Sequence, residues 1–203
     1  MSVPFKICGI TREEDALCAA DAGAWAVGFV LFPSSPRAVT LERAAEIAAV
    51  LPPFVAAVPV LVDPSTSQAF EAAEALRTSI VQLHGSKVPS VESLASLRVI
   101  RAATLDSAAM VPSPWTLLLD AADPKAHGGT GRTIDWNAAA AIAATRRTIL
   151  AGGLRRENVT EAIAIARPAA IDLASGVESS PGIKDHQAIR ALAQAVRGGG
   201  ELR

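Results

Sequence analysis

The chain has 203 residues, half of them hydrophobic and 19% charged, with 19 basic against 20 acidic side chains for a formal charge of -1. That is ample apolar material for a folded core and far from the composition of disordered or fibrous chains. The near-neutral balance excludes a broad basic face for nucleic acid or anionic lipid, so any anion bound is small and locally held. No apolar stretch approaches the roughly 18 to 20 residues of a membrane span, and the start M-S-V-P-F-K-I-C lacks a basic segment followed by a long apolar one. A cytoplasmic protein is expected, with no nucleic acid or membrane partner. Cys8 and Cys18 are too few for a disulfide framework and lack nearby zinc-ligand partners, which predicts free thiols and no metal site.

From Phe5 onward, short apolar runs of strand length alternate with alanine-rich segments of helical spacing, the pattern of parallel β-α units. The predicted strands run from Phe5 to Cys8, Ala26 to Phe32, Val55 to Val62, Ser79 to His84, Leu97 to Ala103, Trp115 to Asp120, Thr148 to Ala151 and Ala169 to Ala174. Thr11, Thr40, Ser65, Asp135 and Lys184 with Asp185 stand near helix starts. The weakest helical patterns follow His84 and Thr104. Eight strands in about 200 residues match a single-domain (β/α)8 barrel, the all-parallel TIM-barrel architecture, better than a doubly wound sheet of five or six strands. The barrel is expected over residues 1–197, with 198–203 a flexible tail. Pro59 inside the third strand removes a ladder donor, so that strand is either irregular there or begins later.

In such a barrel the reactive face is where the strands' carboxyl ends meet their loops. Polar residues gather at those ends: Cys8, Arg37, His84, Asp120, Asp172 and Ser175. Capping and salt bridging account for some such placements. The runs A-G-G-L (Ala151 to Leu154) and S-G-V-E-S-S-P-G (Ser175 to Gly182) follow the seventh and eighth strands, where barrels bind phosphate through backbone N–H groups; tight turning is the competing explanation. H-G-G-T-G-R (His127 to Arg132) lacks the phosphate-loop spacing and reads as a mobile loop able to fold over a ligand. The three tryptophans, Trp25, Trp115 and Trp136, are expected between helices and barrel.

Several motifs, in this order, resemble phosphoribosylanthranilate isomerase: K-I-C-G-I-T (Lys6 to Thr11), V-G-F-V-L-F-P-S-S-P-R (Val27 to Arg37), Q-L-H-G (Gln82 to Gly85), L-L-L-D (Leu117 to Asp120), G-G-T-G-R-T-I-D-W (Gly128 to Trp136), L-A-G-G-L (Leu150 to Leu154) and D-L-A-S-G-V-E (Asp172 to Glu178). Together they span nearly the whole chain. The resemblance implies an Amadori rearrangement in tryptophan biosynthesis: N-(5'-phosphoribosyl)anthranilate becomes 1-(2-carboxyphenylamino)-1-deoxyribulose 5-phosphate, without cofactor or metal. It implies a small phosphorylated substrate and Asp120 as the acid that opens the ribose ring. Cys8 becomes the base that removes the C2' proton. Lys6, Arg37, Gln82, His84 and Asp172 become substrate-binding residues, with Arg37 gripping the anthranilate carboxylate. Gly152, Gly153, Ser175 and Gly176 become the phosphate site. A monomer is expected, since no apolar strip demands a dimer. A related isomerase of another phosphorylated aminosugar and a non-catalytic phosphometabolite-binding barrel are the alternatives.

These roles set physical demands. A free thiol near pKa 8.5 is mostly protonated at neutrality, so Cys8 needs a site that favours the thiolate, and Lys6, two residues away on the same strand face, is the expected source. Without the resemblance, Cys8 reads equally as a small buried hydrophobe, as Cys18 does. Asp120 needs the opposite, a pKa raised by roughly two units through desolvation. The sequence departs from the family's pattern at Ala57, Pro59 and Asp63 on the third strand and at Ala174, where a serine is usual.

Overall fold

The computed structural model describes residues 3–121 and 134–198. Eight strands, β1 (Phe5–Cys8), β2 (Ala26–Val30), β3 (Ala56–Val62), β4 (Ile80–His84), β5 (Arg98–Ala103), β6 (Thr116–Leu119), β7 (Thr148–Leu150) and β8 (Ala170–Leu173), pair in parallel in chain order. The barrel closes where β8 pairs with β1, Lys6 standing beside Asp172. Helices α1 (Glu13–Asp21), α2 (Leu41–Ala49), α3 (Thr66–Ala75), α4 (Trp136–Ala143), α5 (Val159–Ala166) and α6 (His186–Gly198) belong to the outer layer. Only single 3-10 turns, Glu92–Leu94 and Ala108–Met110, follow β4 and β5, where the helical pattern is weakest. Pro89, Pro112 and Pro114 crowd these connections and deny a longer helix its backbone donors. After β8 come a 3-10 turn, Ser175–Val177, and a two-stranded antiparallel ribbon of β9 (Glu178–Ser180) and β10 (Ile183–Lys184). Of the expected tail, only Gly198, the last residue of α6, is described. The H-G-G-T-G-R loop lies outside the described residues, as do the other residues from 122 to 133.

Strand alternation divides the interior in two. Outward-facing residues such as Ile7, Val27, Phe29, Leu83, Leu117 and Ile171 pack with the helices into one continuous core. Inward-facing Ala102, Leu118 and Ala151 form a separate small cluster with Ile100 and Ile149. This is the period-two pattern of strands with both faces covered.

Pro59 lies within β3, opposite Phe29 of β2, so the strand does not begin later. Ala56 donates its N–H to Trp25 on the β2 side, whereas Asp63 donates to His84 on the β4 side. Alternation therefore turns the nitrogen of Pro59 toward β4, and the β3–β4 ladder starts only at Val60 beside Gln82.

Thr40, Ser65, Asp135 and Asp185 each accept N–H bonds at a helix start, and Ser65 forms a reciprocal capping box with Gln68. Thr11 does not cap: its hydroxyl donates to the Gly182 carbonyl, tying β1's loop to the ribbon. Trp115 is buried and Trp136 packs against the core, but Trp25 is 67% exposed, contrary to expectation. It precedes β2, where only its backbone is engaged, bonding to Phe5 and Ala56. Among the described residues no helix is long and apolar enough to cross a membrane.

Phe29 is fully buried between β2 and the helices. Phe29→Ala should lower the unfolding free energy by about 3 to 5 kcal/mol, measured by urea titration, because the closed shell cannot collapse into the gap. Ser65→Ala should cost about 1 kcal/mol in the same assay.

Candidate active site

One cavity opens at the carboxyl ends of the strands, and ten of the eleven residues expected in the site line it. Cys8 comes from the end of β1, Arg37 from the loop after β2, Gln82 and His84 from β4, and Asp120 from just beyond β6. Gly152 and Gly153 enter from the loop after β7, and Asp172, Ser175 and Gly176 from β8 and its loop. Residues more than a hundred positions apart meet here because every parallel strand ends on the same face. Val30, Val60 and Val62 supply apolar wall.

The eleventh, Lys6, is not among the lining residues. Its ammonium donates to both oxygens of Asp172 at 2.9 Å, with both residues buried. Burial alone would pull the lysine down, but the Asp172 carboxylate, with a smaller contribution from Cys8, more than offsets this and its pKa is raised. Gly28 makes room for the arrangement: a Cβ there would stand 2.8 Å from the Cys8 sulfur and 3.0 Å from the Lys6 nitrogen.

The expectation that Lys6 makes Cys8 a thiolate needs correction. Burial is the largest influence on the thiol and pushes its pKa up. Lys6 and Lys184 oppose that and Asp172 reinforces it, leaving the net direction upward. Lys6 is the strongest counterweight, through its charge and a hydrogen bond to the thiol, but its partner Asp172 offsets part of that pull and burial outweighs the rest.

Asp120 meets its demand. Burial drives its pKa up to about 6, with the Asp172 carboxylate adding to the shift; the Ala121 N–H and the Lys6 charge act against it. One carboxylate oxygen, Oδ1, accepts that N–H at 2.8 Å, which fixes the group's orientation.

The loops after β7 and β8 are built on glycine. Gly152 and Gly153 have φ of +81° and +64°. A Cβ on Gly176 would lie 1.9 Å from the Leu154 carbonyl oxygen, so the two loops touch backbone to backbone. The N–H groups of Gly153 and Gly176 donate to no described residue. Asn158, which sequence reasoning missed, donates to the Gly153 carbonyl at 3.0 Å and accepts from Arg155 N–H, bracing the first loop. Beneath the mouth, the Gln82 amide nitrogen is 2.8 Å from the His84 ring, and its carbonyl Oε1 is buried without a partner among the described residues.

Arg37 reaches the cavity held by a residue also missed. Glu178 accepts from Arg37 Nε at 2.9 Å and from Nη2 at 2.7 Å, and Lys184 donates to Glu178 at 2.7 Å. Glu178 stood inside the quoted D-L-A-S-G-V-E motif and Lys184 read only as a helix-start residue; their burial was the missing information. Of the four departures, Ala57 joins the outer core, while Pro59 and Asp63 are off the cavity lining. Asp63 takes a left-handed φ of +46° and accepts the Lys87 N–H, a conformation short polar side chains tolerate. Ala174 does line the cavity.

The sequence model of the N-(5'-phosphoribosyl)anthranilate isomerase family matches residues 5–195. The chain is 45% identical over 193 residues to the N-(5'-phosphoribosyl)anthranilate isomerase of Pelobacter propionicus, covering 93% of this chain and 92% of the relative. The chain belongs to this family. It is an isomerase. The crystal structure of the Thermus thermophilus phosphoribosyl anthranilate isomerase superposes with a TM-score of 0.85 at 40% identity, covering 96% of this chain and 98% of that one. A further isomerase structure of the family, in complex with reduced 1-(o-carboxyphenylamino)-1-deoxyribulose 5-phosphate, matches with a TM-score of 0.82 at 36% identity, over 97% of this chain and 99% of that one.

The raised Asp120 has a consequence for stability. Its folded value near 6 lies above an unfolded value of about 3.9. The folded chain therefore holds the proton more tightly; this stabilisation is complete below about pH 4 and is lost as pH rises through about 6. Relative to the parent, Asp120→Asn should gain up to about 3 kcal/mol of stability between pH 4 and pH 7, read from urea unfolding at the two pH values.

Proposed function

We propose that this chain catalyses the Amadori rearrangement of N-(5'-phosphoribosyl)anthranilate to 1-(2-carboxyphenylamino)-1-deoxyribulose 5-phosphate in tryptophan biosynthesis, with Asp120 as general acid and Cys8 as general base. The observation that carries this assignment is the common cavity: a carboxyl group with a pKa near 6 and a thiol, 112 positions apart in sequence, line the same cleft.

Asp120 donates its proton to the ribose ring oxygen as the C1'–O bond breaks. A carboxyl of pKa about 6 remains in part protonated at neutral pH, where an ordinary aspartate is almost wholly ionised. Ring opening leaves an iminium, whose positive charge acidifies the adjacent C2' proton and favours the anionic form of a nearby thiol. Cys8, having released its own proton to water as that positive charge develops, takes the C2' proton as the thiolate and so returns to the neutral thiol. Asp120 regains its proton from solvent. The thiol rests protonated because burial favours its neutral form, and the cationic intermediate supplies the stabilisation that the Lys6–Asp172 pair does not. The resulting enamine-enol tautomerises to the ketose.

Binding divides by chemistry. The N–H groups of the Gly152–Gly153 and Ser175–Gly176 segments take the phosphate without a lysine. Arg37 grips the anthranilate carboxylate. Gln82 and His84 meet the ribose hydroxyls, and the unpartnered Gln82 carbonyl oxygen is an acceptor for one of them. Asp172, fixed by Lys6, faces the cavity at the sugar. All these residues come from one chain, so a monomer suffices. The reaction belongs in the cytoplasm, since a multiply charged substrate crosses hydrocarbon only at great cost.

Purified protein should consume phosphoribosylanthranilate, followed by loss of its fluorescence, without added metal or nucleotide. Cys8→Ala and Asp120→Asn should each lower kcat by at least about 100-fold with binding largely retained. Full activity in either variant removes the role assigned to that residue. Arg37→Ala should raise KM sharply while the inhibition constant of inorganic phosphate changes little.

A further inference from the structure

We propose that Lys184 is a positioning residue of this site: through Glu178 and the Cys8 carbonyl it holds the carboxylate-gripping Arg37 and the base Cys8 in one register. The inference rests on the reading of Arg37 as the carboxylate clamp and goes beyond it.

Lys184 sits at the end of the ribbon with its side chain completely buried. An ammonium in such a place demands acceptors for all its donors. It has them from three directions: the Cys8 carbonyl at 2.6 Å, the Ala174 carbonyl at 3.2 Å and the Glu178 carboxylate at 2.7 Å. One nitrogen thereby binds the end of β1, the end of β8 and the ribbon.

Glu178 passes the constraint to Arg37. Its side chain is 3% exposed, and beyond Lys184 it accepts from Arg37 Nε and Nη2 and from the Gly182 N–H. The stem of Arg37 lies across Gly9, where a Cβ would come within 2.6 Å of Cδ. Gly9 directly follows Cys8, so the linkage closes on itself: Cys8 carbonyl, Lys184, Glu178, Arg37, and back to the residue beside Cys8. Arg37 Nη1 makes no hydrogen bond to a described residue, so the guanidinium is anchored along one edge with a donor nitrogen to spare.

The charges add a second argument. Two cations and one carboxylate leave the cluster with one net positive charge at the cavity wall, and an arriving carboxylate balances it. A cluster that acted only through this field would attract an anion more strongly once Glu178 was neutralised. A cluster that acts by position would lose its grip, because Arg37 and Lys184 would repel each other without the anion between them.

The test uses full-length Glu178→Gln, Lys184→Met and Arg37→Ala, with KM and kcat for phosphoribosylanthranilate and the inhibition constant of inorganic phosphate. Glu178→Gln should raise KM by about tenfold with kcat within about threefold, since Lys184 still holds Cys8. Lys184→Met should raise KM and also lower kcat by about tenfold, since both linkages go. In both variants the phosphate inhibition constant should stay within about twofold, a readout that general loosening of the fold would not spare. An unchanged or lowered KM in Glu178→Gln overturns the proposal, and this arm decides alone if Lys184→Met fails to fold. Equal losses for phosphate and substrate overturn it as well. If Arg37→Ala leaves KM unaltered, the clamp reading falls and takes the proposal with it. If Arg37→Ala raises KM and Glu178→Gln does not, only the proposal falls.

Discussion

Desolvation at the mouth of the barrel is the constraint on which the rest of this molecule turns. Eight strands closed into a ring and wrapped by helices leave a lumen largely sealed from water, and every ionisable group set there is pushed toward its neutral form unless a partner holds it charged. Among the described residues Asp120 has no cation at hydrogen-bonding distance, only a backbone N–H, and its pKa rises to about 6. Cys8 has two lysines near it, but each is committed to a carboxylate, and its thiol stays protonated. The same burial thus gives the acid the proton it needs and withholds the anion from the base until positive charge develops on the substrate.

The remaining charges are arranged so that the burial can be sustained. Lys6 with Asp172 forms one neutral pair deep in the barrel, and Arg37, Glu178 and Lys184 form one cluster at the rim. Removing Lys6, Asp172 or Glu178 would leave buried charge unmatched, which costs far more than the intact pairing contributes. These contacts join residues from β1, β2's loop, β8 and the ribbon, so the electrostatics of the site and the closure of the barrel depend on one another. Catalytic tuning of Asp120 also has a stability cost, because its ionised form is held in a place that disfavours charge.

Much of the site was readable before any coordinates. Apolar runs gave the strands nearly to the residue, and polar residues at their carboxyl ends marked the cavity. What escaped was the pairing. Lys6 looked like the neighbour that would ionise Cys8, since two residues apart on a strand share a face, yet burial outweighs its pull, part of which Asp172 offsets from across the β1–β8 seam. Trp25 looked like core packing because tryptophan usually is, and only its place at the open end of β2 exposes it. Lys184 looked like a helix-start residue because nothing local shows that two backbone carbonyls, from the ends of β1 and β8, and a carboxylate converge on its nitrogen.

By itself the sequence determined the periodicity, the strand count, the order of the elements and the chemical types available at each strand end. Those are properties of residues close in the chain, set by side-chain alternation and backbone preference. Tertiary structure decided which charge answers which, how deeply each is buried, and therefore which protons are held at neutral pH. Pairing and dielectric depend on distances between segments 18 to 176 positions apart, from Arg101 against the Leu83 strand end to Lys184 against Cys8, and no local pattern encodes them.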